Sequence, residues 1–216
     1  MAKISYNDIY DFDIRIMRLL NNEYEKEEAW NLLREFYEDP DGYPIDGKYR
    51  TYEGIKCTVD GLLSIKRIYD HEGFGDKFIE SFKKYRKTPL IFFPTERYGI
   101  NYSRNSAFGD RIDHTLFDLK NYFSEDEEKR KSCKLTSAYI LTNTAEWIKH
   151  IGSFENYIEW LGLKNIFTDS DYNVLDIEKN DGKTTIETYL DSYSSKWSDN
   201  YYNNIKKKIE EYIVKQ

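Results

Sequence analysis

The chain has 216 residues and a formal net charge of −7, with 39 acidic and 32 basic side chains. This balance argues against broad, sequence-independent binding to nucleic acid and to anionic membrane surfaces. Aromatic residues make up 17% of the chain and include 20 tyrosines, a content that predicts a folded chain rather than a disordered one.

Cysteine usage and hydropathy indicate the expected cellular location of the protein. Cys57 and Cys133 stand far apart and form no CxxC pair, which predicts neither a zinc site nor a redox centre and fits a reducing cytoplasm. The N-terminus has no apolar signal segment, and no run reaches the roughly 20 apolar residues of a membrane-spanning helix. We therefore expect a cytoplasmic protein that does not enter a membrane.

In residues 1–54 the sequence pattern predicts secondary structure clearly in one segment and only weakly in the others. Residues 4–20 fit a strand leading into a short helix, whereas residues 25–37 carry a clear helical stripe of apolar side chains. That helix is expected to stop at the turn sequence of residues 39–42. Residues 42–54 predict a loop or an edge hairpin that turns at Ile45-Asp46-Gly47.

Two short helices and a strand are predicted next. The apolar spacing in residues 62–69 and again in residues 78–85 is typical of helices. Leu90 to Phe93 is short, apolar and bracketed by Pro89 and Pro94, which indicates a buried strand that cannot extend far.

A polar segment and a longer helix follow this strand. Glu96 to Gly109 is polar and ends in glycine, so a loop or one loose helical turn is expected. Asp110 is a suitable N-cap, and Asp113 favours the positive end of the helix. The predicted helix has one apolar face, formed by Ile112, Leu116, Leu119 and Phe123.

A loop that enters a helix N-terminus is a common place for anions to bind, because the first amides of a helix are unpaired. The candidate ligand-binding residues here are Asn101, Arg104, Arg111, Asp113 and His114. In the binding hypothesis the arginines hold an anion, the asparagine orients it, and the aspartate or histidine exchanges protons. In the structural hypothesis an arginine pairs with Asp110 or Asp113 and ties the loop to the helix. The structural hypothesis predicts that Arg111→Ala destabilises the fold and that Arg104→Ala, in the looser segment, melts almost normally.

The same region carries a resemblance to a known family. Its residues are Phe92-Phe93-Pro94, Ile100-Asn101, Arg104 and Asp110-Arg111-x-Asp113-x-Thr115-Leu116, with a second block at residues 154–160. This pattern resembles the signature of a domain-of-unknown-function family in bacteria and phages, over a stretch of roughly Lys56 to Ile177. Asn105 stands where that family has glycine. The family has no assigned activity, so the resemblance implies a shared fold and no particular chemistry.

The segments after residue 123 are mostly helical in pattern. Residues 124–127 form a capping box that begins at Ser124, followed by an acid-to-base run that predicts a solvated surface helix. Thr144 is expected to cap the next helix, which breaks at Gly152 and ends at Gly162.

The last part of the chain combines a polar stretch with a long apolar stripe. Residues 174–177 fit a short strand, and residues 185–215 fit one long helix or two. Asp169 begins a sequence like a calcium loop, but the glycine and glutamate that such a loop requires are missing. The acidic residues from 176 to 181 lack the Glu-x-Lys spacing of metal-dependent nucleases, so no metal site is predicted.

These patterns together predict a mainly helical α+β fold, with a small central sheet that includes residues 90–93. We expect one domain over residues 1–216, with residues 185–216 packed on it as a C-terminal helical segment. The first functional hypothesis is a protein-binding protein of a bacterium or phage, in phage defence or counter-defence, without a cofactor. The alternative is an enzyme or sensor that binds a nucleotide or another phosphate compound through the five candidate residues. The oligomeric state stays open.

Overall fold

The computed structural model describes residues 49–63, 65–73, 76–85, 90–179, 181–190 and 197–215. The predictions for residues 4–20, 25–37 and 39–42 lie outside the described residues. The chain groups into two compact units, one of which contains Leu63–Thr88, while the other is built from Tyr49–Leu62 and Pro89–Gln216. The prediction of a single domain over the whole chain stays a prediction.

The described part of the first unit consists of two helices. Helix α1 spans Ile65–Glu72 and helix α2 spans Asp76–Tyr85, as the apolar spacing predicted. The rings of Tyr69 and Phe78 meet edge to face, with their centroids 6.5 Å apart. This aromatic contact joins the two helices.

A three-stranded antiparallel sheet belongs to the second unit. Its strands are β1 (Tyr49–Tyr52), β2 (Ile55–Gly61) and β3 (Leu90–Pro94), in the order β1-β2-β3. The strand predicted at residues 90–93 is confirmed as β3, which pairs with the middle strand β2. The loop or hairpin turn expected at Ile45-Asp46-Gly47 lies outside the described residues. A hairpin that was not predicted joins β1 and β2, where the chain turns at Glu53 and Gly54, which have positive φ values of 46° and 84°. Two residues with positive φ form the tight turn that fits the twist of a hairpin.

Seven described helices complete the second unit. They are α3 (Ile100–Phe108), α4 (Ile112–Phe123), α5 (Glu127–Ser132), α6 (Thr136–Tyr139), α7 (Thr142–Ile151), α8 (Phe154–Leu161) and α9 (Asp199–Lys215). The fold is therefore mainly helical α+β, with a small sheet and a long C-terminal helix, as predicted. Among the described residues, no helix is both long enough and apolar enough to cross a membrane.

An aromatic cluster joins β3 to the helices that follow it. The Phe93 ring lies 6.0 Å from the rings of both Trp147 on α7 and Tyr157 on α8, and all three side chains are fully buried. Tyr157 also donates its hydroxyl hydrogen to the backbone oxygen of Phe92, at 3.3 Å. Large buried rings contribute strongly to core stability, so this cluster fixes the position of β3 and of the loop that leaves it.

The prediction of a loop or one loose helical turn from Glu96 to Gly109 is wrong, because most of that segment is the nine-residue helix α3. Its buried residues are Ile100, Arg104 and Phe108, which recur every fourth position along one face. Gly109, with φ 59°, ends the helix in the left-handed conformation that glycine adopts easily. The polar residues between the buried ones made the segment resemble a loop.

Three predicted helix starts are also corrected. Arg111, not Asp110, is the N-cap of α4, because Asp110 has φ 64° and continues the turn after α3. Asp126, not Ser124, caps α5 by accepting from two of its amides, since Ser124 already ends α4. Helix α7 starts before Thr144, which lies in its first turn. The predicted surface character of α5 is confirmed, because none of its residues is buried.

The helix ends predicted at glycine residues are confirmed, whereas the C-terminal segment differs from its prediction. Helix α7 ends at Gly152 and α8 ends at Gly162. Residues 174–175 form isolated bridges to Thr168 and Thr185 rather than a strand. Residues 185–190 are not helical, and α9 begins only at Asp199.

Candidate functional site

The start of α4 is covered by side chains from the C-terminal segment. The indole of Trp197 donates to the backbone oxygen of Gly109 at 2.7 Å, and the Tyr201 hydroxyl accepts from the Ile112 amide at 3.2 Å. The Asp113 carboxylate accepts a second amide, that of His114, at 2.9 Å. These two amides of the first turn are therefore already hydrogen-bonded within the protein, which weakens the anion-binding hypothesis at this helix end.

Arg111 is held by two carboxylates and one aromatic ring. Its guanidinium forms two parallel hydrogen bonds to Asp113, at 3.2 and 2.7 Å, and a third to Glu178 at 3.1 Å. The same group lies 4.0 Å from the centre of the Tyr201 ring. Arg111 is 8% exposed and Asp113 is fully buried. Burial by itself would lower the pKa of Arg111, but attraction and hydrogen bonding to Asp113 outweigh it and raise that pKa above its usual value.

His114 lies beside this pair and against the Phe108 ring. Its ring centre is 6.0 Å from that of Phe108, and the side chain is almost fully buried. The Nδ1 atom has no hydrogen-bond partner among the described residues. Burial lowers the pKa of His114 below its usual range, in spite of the neighbouring Asp113 carboxylate. The imidazole is therefore neutral at pH 7.

Arg104 and Asn101 lie on α3 and complete the predicted set. Arg104 is buried and donates to the backbone oxygen of Asp110 at 3.3 Å, with the Asp110 carboxylate 3.9 Å from the same guanidinium. Asn101 is half-buried. Four of the five candidates are thus buried side chains, and both arginines pair with aspartates, which is the arrangement of the structural hypothesis. Whether any of the five binds a ligand stays a prediction.

Asp118 is an important buried residue that the sequence patterns did not single out. Its carboxylate accepts from the amides of Lys134 and Leu135, at 2.7 and 3.2 Å, and from the Tyr139 hydroxyl at 2.8 Å. Burial raises the pKa of Asp118, and the hydrogen bonds oppose that rise. No local pattern marked Asp118, because adjacent helix residues do not share a face and Asp118 lies off the apolar stripe that contains Leu119. This carboxylate joins α4 to the chain around α6.

An open pocket of about 480 Å³ lies beside the C-terminal half of α4. Its walls come from α4, α5 and residues 173–174 and 185–189, and none of the five candidate residues lines it. The lining residues that carry charge are Lys120, Lys129 and Glu187. The sequence patterns did not indicate this pocket, because its walls come from segments far apart in the chain.

Exposed aromatic side chains mark a different surface, on the loop between β3 and α3 and on the first turn of α3. Tyr98 and Tyr102 are 53% and 60% exposed, and their rings meet edge to face at 5.2 Å. The Arg97 guanidinium lies 4.8 Å from the centre of the Tyr98 ring. We call these three residues the Tyr98 surface.

Glu96 anchors the loop that carries the Tyr98 surface. Its carboxylate accepts from the Asn143 amide at 2.8 Å, and from the amide and hydroxyl of Thr144 at 2.9 and 2.7 Å. A carboxylate from a distant segment thus caps α7, in the role that the sequence assigned to Thr144 itself.

The described residues contain no cluster of three or more histidine, cysteine, aspartate or glutamate side chains that could hold a metal ion. Comparison of the chain with protein-family models, with curated proteins and with solved structures found no match. The relation to a bacterial and phage family stays a prediction.

Proposed function

We propose that this chain is a protein-binding protein of a bacterium or its phage and that it binds its partner through the Tyr98 surface. The observation that carries the proposal is the pair of neighbouring, exposed tyrosine rings with an arginine over one of them. Tyrosine and arginine are enriched among the residues that dominate binding energy at protein interfaces. A ring pair held edge to face offers a large contact area at a low entropic cost.

The backbone presents this surface in a fixed conformation. Tyr98 has φ 61°, in the left-handed region that is unfavourable for a non-glycine residue. The Ser103 hydroxyl donates to the Tyr98 backbone oxygen at 3.0 Å, and the Gly99 amide donates to the Glu96 backbone oxygen at 3.0 Å. A Cβ atom at Gly99 would lie 3.0 Å from that same oxygen, so glycine permits the tight turn. An unfavourable conformation that its neighbours maintain in an exposed loop supports a binding role.

The geometry at α4 gives less support to the alternative, a nucleotide- or phosphate-binding enzyme or sensor. Such a site needs guanidinium donors that face an incoming anion. The Arg111 guanidinium instead bonds Asp113 and Glu178 and lies against Tyr201. These hydrogen bonds of Arg111 are made within the protein and stabilise the fold.

The cellular setting is a further part of the proposal. Cys57 and Cys133 are both buried as free thiols, in keeping with a reducing cytoplasm. The resemblance to bacterial and phage proteins supports a role in phage defence or counter-defence.

Affinity capture with a matched variant tests the proposed function. The full chain and its Tyr98→Ser/Tyr102→Ser variant are immobilised, bacterial lysate is passed over both, and the retained protein is purified for calorimetry. The wild type is expected to retain one protein in stoichiometric amount, and the variant to bind it at least about tenfold more weakly. Val214→Ser is the control, because Val214 is an 87% exposed apolar residue at the far end of α9. The proposal fails when no stoichiometric partner is retained, or when the double variant binds as tightly as the control.

A further inference from the structure

The pocket beside α4 combines positive charge with apolar walls. Its volume of about 480 Å³ falls within the range of small-molecule sites, about 300–1,000 Å³. Two lysines and one glutamate line it, so its local charge is positive in a chain whose net charge is −7. A positive cleft in an acidic protein concentrates small anions.

Lys120 has one unused donor at this pocket. Its ammonium group donates to the Tyr172 backbone oxygen at 3.0 Å and to the Asn173 side-chain oxygen at 2.8 Å. An ammonium group has three donors, so one remains for a ligand. No carboxylate within the described part of the chain forms an ion pair with Lys120; burial lowers its pKa, and the more distant carboxylates of Asp169 and Glu155 oppose that lowering. A bound anion would supply a direct ion-pair partner.

Lys129 and two threonine hydroxyl groups provide further donors. The Lys129 ammonium group has no ion-pair partner in the described residues, in contrast to its neighbour Lys131, which pairs with Glu127 at 2.8 Å. Thr185 and Thr188 also line the pocket, as does Ser132, whose hydroxyl already donates to the Lys129 backbone oxygen at 2.7 Å. Lysine ammonium groups together with hydroxyl donors are typical ligands of phosphate oxygens.

The remaining wall is aromatic and aliphatic. The Phe117 ring meets the Tyr189 ring edge to face at 5.1 Å, and Tyr189 is stacked on Phe108. Val174 and Ile186 extend this apolar surface. A ligand that fills the pocket therefore needs an apolar or flat part as well as an anionic group.

We propose that this pocket binds a phosphate monoester that carries an aromatic or heterocyclic ring. The phosphate lies between the ammonium groups of Lys120 and Lys129, and the ring lies against Phe117. The site shares no residue with the Tyr98 surface and does not depend on the proposed function.

Calorimetry on the full chain tests the ligand class. The ring-bearing probes are phenyl phosphate and adenosine 5′-monophosphate, inorganic phosphate lacks the ring, and adenosine lacks the charge. At least one ring-bearing phosphate is expected to bind with a Kd of about 1 mM or below, and more tightly than inorganic phosphate or adenosine. The proposal is overturned when neither ring-bearing probe binds in that range, or when inorganic phosphate alone binds equally well.

Matched lysine variants and NMR test the location. Lys129→Gln is expected to weaken binding at least about fivefold, because it removes one charge-assisted contact, while Lys131→Gln on the same helix leaves binding unchanged. Lys129 is exposed and has no ion pair to lose, so its variant is expected to fold normally. Amide signals of Ser132, Thr185 and Thr188 are expected to shift when the probe is added. Unchanged affinity in Lys129→Gln, or shifts confined to residues outside the pocket, would refute the site.

Discussion

Replacing Arg111 with alanine is the most direct test of the buried ion pair. The substitution removes two hydrogen bonds to Asp113, one to Glu178 and the contact with the Tyr201 ring. Asp113 is fully buried, so its carboxylate would be left without its cation. The expected result is a strongly destabilised fold.

The magnitude follows mainly from Asp113. Removing one partner of a buried ion pair costs about 3–5 kcal/mol, because the remaining charge is not solvated. The Glu178 side chain is 36% exposed, so its loss adds at most about 1 kcal/mol. A loss of this size is a large part of the ~5–15 kcal/mol by which domains are stable, and it lowers Tm by roughly 6–20 °C.

Thermal and urea unfolding, followed by circular dichroism, measure this change. Arg111→Lys is expected to lose only part of the stability, because lysine keeps the charge but not the two parallel hydrogen bonds. Arg111→Ala combined with Asp113→Asn should recover some of the loss, since the buried charge is gone. Arg97→Ala, an exposed arginine, is the control, and it should change the free energy of unfolding by less than about 0.5 kcal/mol.

A fully stable Arg111→Ala protein would refute this reasoning and favour the anion-binding hypothesis at α4. The structure also changes the expectation for Arg104→Ala. The sequence placed Arg104 in a loose loop and predicted an almost normal melt. Because Arg104 is buried on α3 and bonds Asp110, we now expect a loss of about 1–3 kcal/mol.

Two further predictions concern a cap and a buried histidine. Glu96→Ala removes the carboxylate that caps α7 and should lower the free energy of unfolding by about 1–2 kcal/mol in urea titrations, whereas a change below about 0.3 kcal/mol would contradict the capping role. Burial holds the pKa of His114 in the folded chain below its usual value of 6.5, so the unfolded chain binds more protons near that pH. Stability should be fully present above about pH 6.5 and fall below it, by up to ~1.4 kcal/mol per pH unit, and His114→Gln should reduce this slope. Equal slopes in both proteins would show that His114 does not titrate as inferred.

Much of the local structure could be predicted because its signals are local. The positions of proline and glycine predicted the ends of β3, α7 and α8. The spacing of apolar residues predicted α1, α2 and α4. The β1–β2 hairpin was missed although Glu53-Gly54 lies between alternating residues, since a single two-residue turn is easily overlooked in a polar segment. Helix α3 was missed because only three of its nine residues face the core.

The partners of the candidate residues were decided by the tertiary structure alone. The sequence by itself determined that Arg111 and Asp113 are neighbours on one helix start, which made their pairing predictable. No local pattern indicated that Glu178 and Tyr201 contact the Arg111 guanidinium. Glu178 lies 67 residues further along the chain, and the Tyr201 ring covers the guanidinium. Contacts of this kind depend on how the C-terminal segment packs, and that packing is set by the combined burial of many side chains rather than by any local pattern. The same packing buries the five-residue cluster more than its polar sequence indicated and leaves the lysine-lined pocket open beside the C-terminal half of α4.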